Sequence, residues 1–252
     1  SFYEKMKVPA PHICPDCRFK MKALFRNETT LYSGRTCDLC QKNIVTMYNP
    51  KSPYIVYCQD CFYSDKWDPK SYAIDYDPSR PFIEQMKELL IKTPKINLYC
   101  TSGEGPNINS DYVNMVSGCK NCYLIFNTST AEELMYSRGV RDGRFSSDIY
   151  FGTSFENSYE SINIQQSSGV TWGQNVISCV DCSFLYNCSG LTNCFGCVNL
   201  RNKSNCFLNQ QLSKEEYDLR VKQIQGSHEL IEEFKKEFEI FRKTFPHKEN
   251  SN

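Results

Sequence analysis

Between Val113 and Leu200 apolar or small residues return at every third position, a register that neither a helix of period 3.6 nor a flat strand of period 2.0 can hold for about ninety residues. Val113, Val116, Cys119, Cys122, Ile125, Leu134, Val140, Ile149, Phe155, Ile164, Val170 and Val176 share it, as do Cys179, Cys182, Leu185, Cys188, Leu191, Cys194, Cys197 and Leu200. Ala131, Ser158, Ser161 and Gly173 fill further places in the same phase. A chain coiled into short sides with tight corners does keep this phase, because each side turns equivalent residues towards one axis. Residues 113–208 are therefore expected to form a β-solenoid, with cysteine used as a compact apolar filler. Asn121, Asn157, Asn187, Asn193 and Asn205 each precede an inward position, where their amides suit corners or ladders between turns.

The flanks differ. Ser213-Lys214-Glu215-Glu216 is a capping box that starts a helix, and a second helix follows Gly226 with Leu230, Ile231, Phe234, Phe238 and Phe241 on one face. Such a helix is expected to cover the open strand edge at the solenoid's end, the alternative use of its face being a partner. Upstream, Pro81 opens a short amphipathic helix carrying Phe82, Met86, Leu89 and Leu90. The expected organisation is a zinc-binding knuckle domain over residues 1–68, a linker with that helix over 69–112, the solenoid over 113–208 and C-terminal capping helices over 209–252. The fold class is mainly β, with a treble-clef or zinc-ribbon-like N-terminal domain.

Fifteen cysteines, an odd number and many in Cys-x2-Cys pairs, favour thiols over disulfides and hence a reducing interior. Cys37/Cys40 and Cys58/Cys61 are separated by seventeen residues read as a hairpin, with strand-like runs at 44–48 and 54–57 around Asn49-Pro50-Lys51-Ser52-Pro53. Four thiolates from two such pairs suit a tetrahedral Zn²⁺ and leave no open position. Cys14 and Cys17 form a third pair, which could replace either of the others or recruit His12 as a further ligand; spacing alone does not choose.

The segments FYEKMKVPAPHICPDCR, FRNETTLYSGRTCDLC, YCQDCFYSDKWDP, DYDPSRPFIEQMKEL, GCKNCYLIF, NCFGCVNLRNKSNCFLN and QLSKEEY resemble a family of zinc-ribbon-like, cysteine-rich proteins known from uncultured-bacterial and giant-virus genomes. The likeness covers most of the chain, residues 127–178 being poor in the family's cysteine repeat. It implies that FYEK is internal and follows another Cys-x2-Cys, so that Cys14 and Cys17 would be half of a second zinc site completed upstream of Ser1.

An enzyme needs proton carriers or nucleophiles, and the chain has only His12, His228 and His247, with none from 13 to 227. Asp75 and Asp77 fit a turn ahead of a helix, and Asp142, Asp148, Glu156 and Glu160 have no spacing that marks a catalytic pair. Net charge is zero, but residues 1–61 hold nine Lys/Arg against five Asp/Glu. Arg18, Lys20, Lys22, Arg26 and Arg35, interleaved with Phe19, Phe25 and Tyr32, are the candidate nucleic-acid contacts. No apolar run approaches the ~18 residues of a membrane span, and no signal peptide is visible. The expectation is a non-enzymatic, zinc-binding structural or interaction protein, intracellular or within a virus particle, the alternatives being a nucleic-acid-binding protein using the basic, aromatic N-terminal domain and a solenoid-type enzyme. Protein partners or a larger assembly are expected, with Tyr123, Tyr136, Tyr150, Tyr159 and Tyr186 as contact rings on the solenoid and no evident small-molecule substrate.

Overall fold

A computed structural model describes residues 2–23 and 26–247. The chain divides into two compact units, Ser1–Asn97 and Leu98–Asn252.

In the first unit, α1 (Phe2–Met6) and α2 (Pro15–Ala23) precede a hairpin of β1 (Tyr32–Thr36) and β2 (Asn43–Thr46), paired antiparallel with Arg35 opposite Ile44. β3 (Val56–Tyr57) leads into α3 (Gln59–Phe62), and α4 (Phe82–Lys92) is followed by β4 (Lys95–Ile96), which pairs with β3 in parallel. The hairpin thus lies one strand earlier than the sequence suggests. The physical reason is Asp38: its N–H donates to the Val56 carbonyl at 2.9 Å and its carboxylate accepts from the Val56 N–H at 2.6 Å, so residues 54–57 are held by the β1–β2 turn and not by β2. A small core of Cys37, Ile44, Val56, Tyr57, Cys58 and Cys61 closes the unit.

The second unit is a β-solenoid of about nine turns followed by helices. Its strands are β5 (Cys100–Thr101), β6 (Asn114–Ser117), β7 (Phe126–Ser129), β8 (Glu132–Met135), β9 (Arg138–Glu156), β10 (Tyr159–Ile177), β11 (Val180–Ser189), β12 (Thr192–Val198) and β13 (Ser204–Phe207). Successive turns pair in parallel at an offset of twelve residues, as in Val170 beside Cys182 and Cys182 beside Cys194. From Asn109 to Leu208 every third residue has a positive φ, between 45° and 68°. A twelve-residue turn with a left-handed corner at each third residue has four sides. The residue after each corner points inward, and every such residue from Val113 to Cys197 is buried.

Left-handed backbone costs an L-residue roughly 1–2 kcal/mol, least for Asn, Asp and Gly. The corners use these types repeatedly, and Asn109–Asn121, Asn163–Asn175 and Asn187–Asn199 join amide to amide between turns at 3.0, 2.9 and 2.7 Å. The interior supplies a second ladder. Inward serines donate to the carbonyl two residues back and accept an N–H from the next turn: Ser158 Oγ reaches Glu156 O at 2.9 Å and receives Val170 N at 3.3 Å. Inward cysteines make the same backward bond, as in Cys182 Sγ to Val180 O at 3.2 Å and Cys188 Sγ to Tyr186 O at 3.4 Å. Thiol and hydroxyl are interchangeable here as small second donors to carbonyls that already accept an N–H from the next turn, as Tyr186 O does from Asn199 N at 2.9 Å.

The solenoid begins earlier than residue 113. Asn107 Oδ1 and Ser110 Oγ accept the N–H groups of Cys119 and Cys122, both at 3.1 Å, so they hold inward positions of an earlier turn. Being polar, they leave no apolar trace in the sequence. The C-terminal end also departs from expectation. The edge of β13 is closed by β14 (Gln210–Gln211), paired antiparallel, while α5 (Lys214–Gln225) and α6 (His228–Lys243) pack laterally against an aromatic surface of the last turns. Phe184, Phe195 and Phe207 form that surface, and Phe234 of α6 lies 4.7–5.9 Å from all three rings. The helices follow apolar area, which the outward residues supply, and not the strand edge, which two glutamines already pair. The predicted capping box of α5 is present, with Ser213 Oγ and Glu216 N at 3.2 Å.

Candidate metal centre

Cys37 and Cys40 sit in the turn between β1 and β2, and Cys58 and Cys61 bracket the start of α3. The turn is tight because Gln41 takes a left-handed φ of 62° and returns its N–H to the Cys37 carbonyl at 2.9 Å. The Phe62 N–H likewise donates to the Cys58 carbonyl at 2.8 Å, which fixes the second loop. These local structures bring all four Sγ atoms within 4.8 Å of one another, the one group of its kind among the described residues. Cys40 Sγ and Cys58 Sγ are 3.8 Å apart. Cys37, Cys58 and Cys61 are buried and Cys40 is exposed.

The electrostatics of the cluster ask for a cation. Burial alone would raise the Cys37 thiol, but hydrogen bonds led by the Cys40 and Cys58 N–H groups bring it down to about 7. The Cys58 N–H lies 3.2 Å from Cys37 Sγ. Cys61 goes the other way, to about 12, through burial first and then its neighbouring thiols, and burial raises Cys58 as well. Four thiols this close cannot all ionise against one another, and a dication at their centre removes that conflict. The donor set therefore fits a metal ion held by four thiolates, with every position filled by protein.

Cys14 and Cys17 stand apart from this group. Both are exposed, with the Cys17 N–H 3.4 Å from Cys14 Sγ, and neither they nor His12 join Cys37 and Cys40. Eight cysteines of the solenoid, from Cys119 to Cys206, are buried in its core, and Cys100 packs half-buried against it. Burial pushes Cys188 up to about 12 and Cys206 to about 11, so these two thiols stay protonated at neutral pH and act as hydrogen-bond donors, whereas hydrogen bonds led by the Cys119 and Cys182 thiols lower Cys122 and Cys194 respectively.

Three of the five basic candidates are engaged within the fold. Arg18 donates to the Ile13 carbonyl at 2.7 Å, Arg26 pairs with the buried Glu28 at 2.6 Å, and Arg35 is nearly enclosed, bonding the Tyr54 carbonyl, Asp38 and Ser52. Arg35 thereby ties the 49–54 loop to the turn that carries Cys37 and Cys40, a role its place in a basic run did not suggest. Lys20 and Lys22 are exposed, and Phe25 lies outside the described residues.

The carboxylates considered for catalysis are likewise held by separate partners. Asp77 accepts from Ser79 N and Oγ in a turn before α4, and the Ser79 hydroxyl keeps its pKa low. Asp142 pairs with Arg144 at 3.6 Å, Asp148 accepts from Ser147 at 2.6 Å, and Glu156 from Ser168 at 3.3 Å. Glu160 accepts from Tyr159 and Trp172, both at 2.8 Å. Of the tyrosines, Tyr123, Tyr136, Tyr150 and Tyr159 are exposed, whereas Tyr186 is buried beneath the Arg242 guanidinium. Among the described residues no helix is long and apolar enough to cross a membrane. No protein-family model matches the chain, and no curated protein matches it.

Proposed function

We propose that this chain is a zinc-stabilised structural or interaction protein, in which a four-cysteine site folds the N-terminal unit and the solenoid serves as a rigid surface for assembly. The observation that carries the metal assignment is the sulfur geometry. A tetrahedron with Zn–S bonds of ~2.3 Å has an edge of ~3.8 Å, which the Cys40–Cys58 separation of 3.8 Å matches. Four thiolates favour zinc among the common divalent ions and leave no site for water, so the metal's role is to hold the fold. The family resemblance of the cysteine segments supports the same reading. The test is metal analysis of the full chain by native mass spectrometry. One zinc per chain, lost together with near-ultraviolet dichroism when a strong chelator is added, is expected; a chain that keeps its fold with no metal at these cysteines overturns the proposal.

A second reading, nucleic-acid binding, rests on α2, which exposes Phe19 together with Lys20 and Lys22. Two lysines give a shallow salt dependence. A mobility-shift titration across salt concentrations tests it, with Lys20→Ala/Lys22→Ala as the comparison.

A further inference from the structure

The corner residues of the solenoid stack in columns at twelve-residue intervals, and one column is aromatic at both ends. It runs from Tyr112 through Leu124 and Tyr136, passes Asp148 and Glu160, and continues with Trp172, Phe184, Gly196 and Leu208, every member having a positive φ. In the later turns this column is the seat of α6. Trp172 stacks on Phe184 at 4.6 Å, Phe234 and Phe238 lie over Phe184, and Lys235 Nζ sits 5.1 Å above the Trp172 ring and 3.6 Å from Glu160. Gly196 is required there because the Phe234 ring occupies the space of its missing Cβ.

In the earlier turns the same column has the same character and no cover. Tyr112 and Tyr136 are 48% and 53% exposed, with Tyr123 packed edge-on between them at 5.6 and 5.8 Å and Met135 alongside. An aromatic residue at such a corner is costly twice over, once in left-handed backbone and once in apolar area left in water. Asparagine, used at many other corners, would avoid both.

The helix that fits is written elsewhere in the chain. α6 reads Leu230-Ile231-Glu232-Glu233-Phe234-Lys235-Lys236-Glu237-Phe238, and α4 reads Phe82-Ile83-Glu84-Gln85-Met86-Lys87-Glu88-Leu89-Leu90. Ile, Glu and Lys coincide, and the apolar positions Leu230, Phe234 and Phe238 correspond to Phe82, Met86 and Leu90. Phe234 and Phe238 of this face hold the aromatic column, with Leu230 beyond it at 41% exposed, whereas all three α4 counterparts face water, Phe82, Met86 and Leu90 being 57%, 36% and 49% exposed. The buried residue of α4 is instead Gln85, which bonds Asp77 and Arg80.

We propose that the Tyr112–Tyr123–Tyr136 surface is a docking site for the α4 helix of a second copy of this chain, seated as α6 is seated on Trp172 and Phe184. Each copy then gives one helix and receives one, a two-fold arrangement in which both apolar faces are covered twice. Charge is complementary. Asp148 borders Tyr136 in the column as Glu160 borders Trp172, and Lys87 stands in α4 where Lys235 stands in α6. Both contacts are of the amphipathic helix-in-groove kind.

Sedimentation equilibrium of the full chain across a hundredfold concentration range tests the inference. The expected mass rises from 29.3 kDa towards twice that value. Tyr112→Asn/Tyr136→Asn on one surface and Met86→Lys/Leu90→Lys on the other are each expected to weaken association at least tenfold. Asparagine suits the corner conformation, so the first variant keeps its fold. Asp148→Lys is expected to weaken the dimer and Lys87→Asp to restore it in the double variant, which a merely structural role would not do. A chain that stays monomeric throughout the range overturns the proposal, as does a dimer indifferent to these substitutions. Binding of an unrelated ligand, such as a glycan, to the tyrosines without self-association also counts against it.

Discussion

Gly196→Ala tests the lateral seating of α6 with two separable terms. The residue has φ +68°, and a Cβ there would lie 2.8 Å from Phe234 Cζ and 3.0 Å from Leu208 Cδ2. The backbone term is about 1–2 kcal/mol for left-handed alanine, reduced by about 0.4–1 kcal/mol because alanine also restricts the unfolded chain. The steric term is about 1–3 kcal/mol, since Phe234 is buried among four other rings and cannot move without opening the cluster. Together they give a loss of roughly 1–5 kcal/mol for Gly196→Ala. Gly169→Ala isolates the first term: its φ is +64°, but the close atom is the carboxylate oxygen of exposed Asp181, which can swing away. The assay is urea unfolding followed by Trp172 fluorescence in a Trp67→Phe background, so that the signal comes from the aromatic cluster. Gly196→Ala should lose at least about 1 kcal/mol more than Gly169→Ala. Equal losses would refute the seating of Phe234 in that space.

The remaining expectations follow from the cysteines and the helix cap. Cys58→Ser should release the zinc and abolish the cooperative melting of the N-terminal unit, while Cys14→Ser/Cys17→Ser leaves the four-cysteine ion in place; metal-to-protein ratios distinguish the two. Cys188, with a folded pKa raised from 9.0 to about 12, stabilises the solenoid fully below pH ~9 and loses that contribution as pH rises through 12, at roughly 1.4 kcal/mol per unit, so alkaline melting should flatten in Cys188→Ser. Under native conditions a thiol-alkylating reagent should modify Cys14 and Cys17 first and leave Cys119, Cys122, Cys179, Cys182, Cys188, Cys194, Cys197 and Cys206 protected until urea unfolds the chain, as peptide mass mapping would read. Ser213→Ala should cost about 1 kcal/mol of stability through α5, with little effect on metal content.

The interior of the solenoid was legible because burial acts on one residue in three and the chain honours that rule without a break from Val113 to Cys197. Its four-sided turn was not: Asn121, Asn157, Asn187, Asn193 and Asn205 marked five corners, but other corners carry glycine, phenylalanine or glutamate, so the full set and the count of twelve could not be read from composition. The first turn was missed for a related reason: Asn107 and Ser110 serve inward positions through hydrogen bonds, which an apolar pattern does not register. The lateral course of α6 depends on Phe195 and Phe207, which lie one residue past the inward phase and look like ordinary surface positions in the sequence. Cys-x2-Cys spacing located the four-cysteine cluster that could hold a metal, yet the same motif recurs in the core, and the threefold phase was needed to separate candidate ligand from filler. Arg35 shows the opposite failure, a buried structural side chain that resembled a phosphate contact because charge alone says nothing of direction.

A turn of twelve residues built from identical sides of three makes the solenoid a counting device. Inserting twelve residues would lengthen it by one pitch of ~4.8 Å and leave everything downstream facing as before. Inserting three would keep every inward residue inward, yet rotate all that follows by a quarter turn. The core would tolerate either change, so the angle between the exposed tyrosines and the seat of α6 is recorded only in chain length, and a lineage could re-aim one surface against the other without altering a single contact residue.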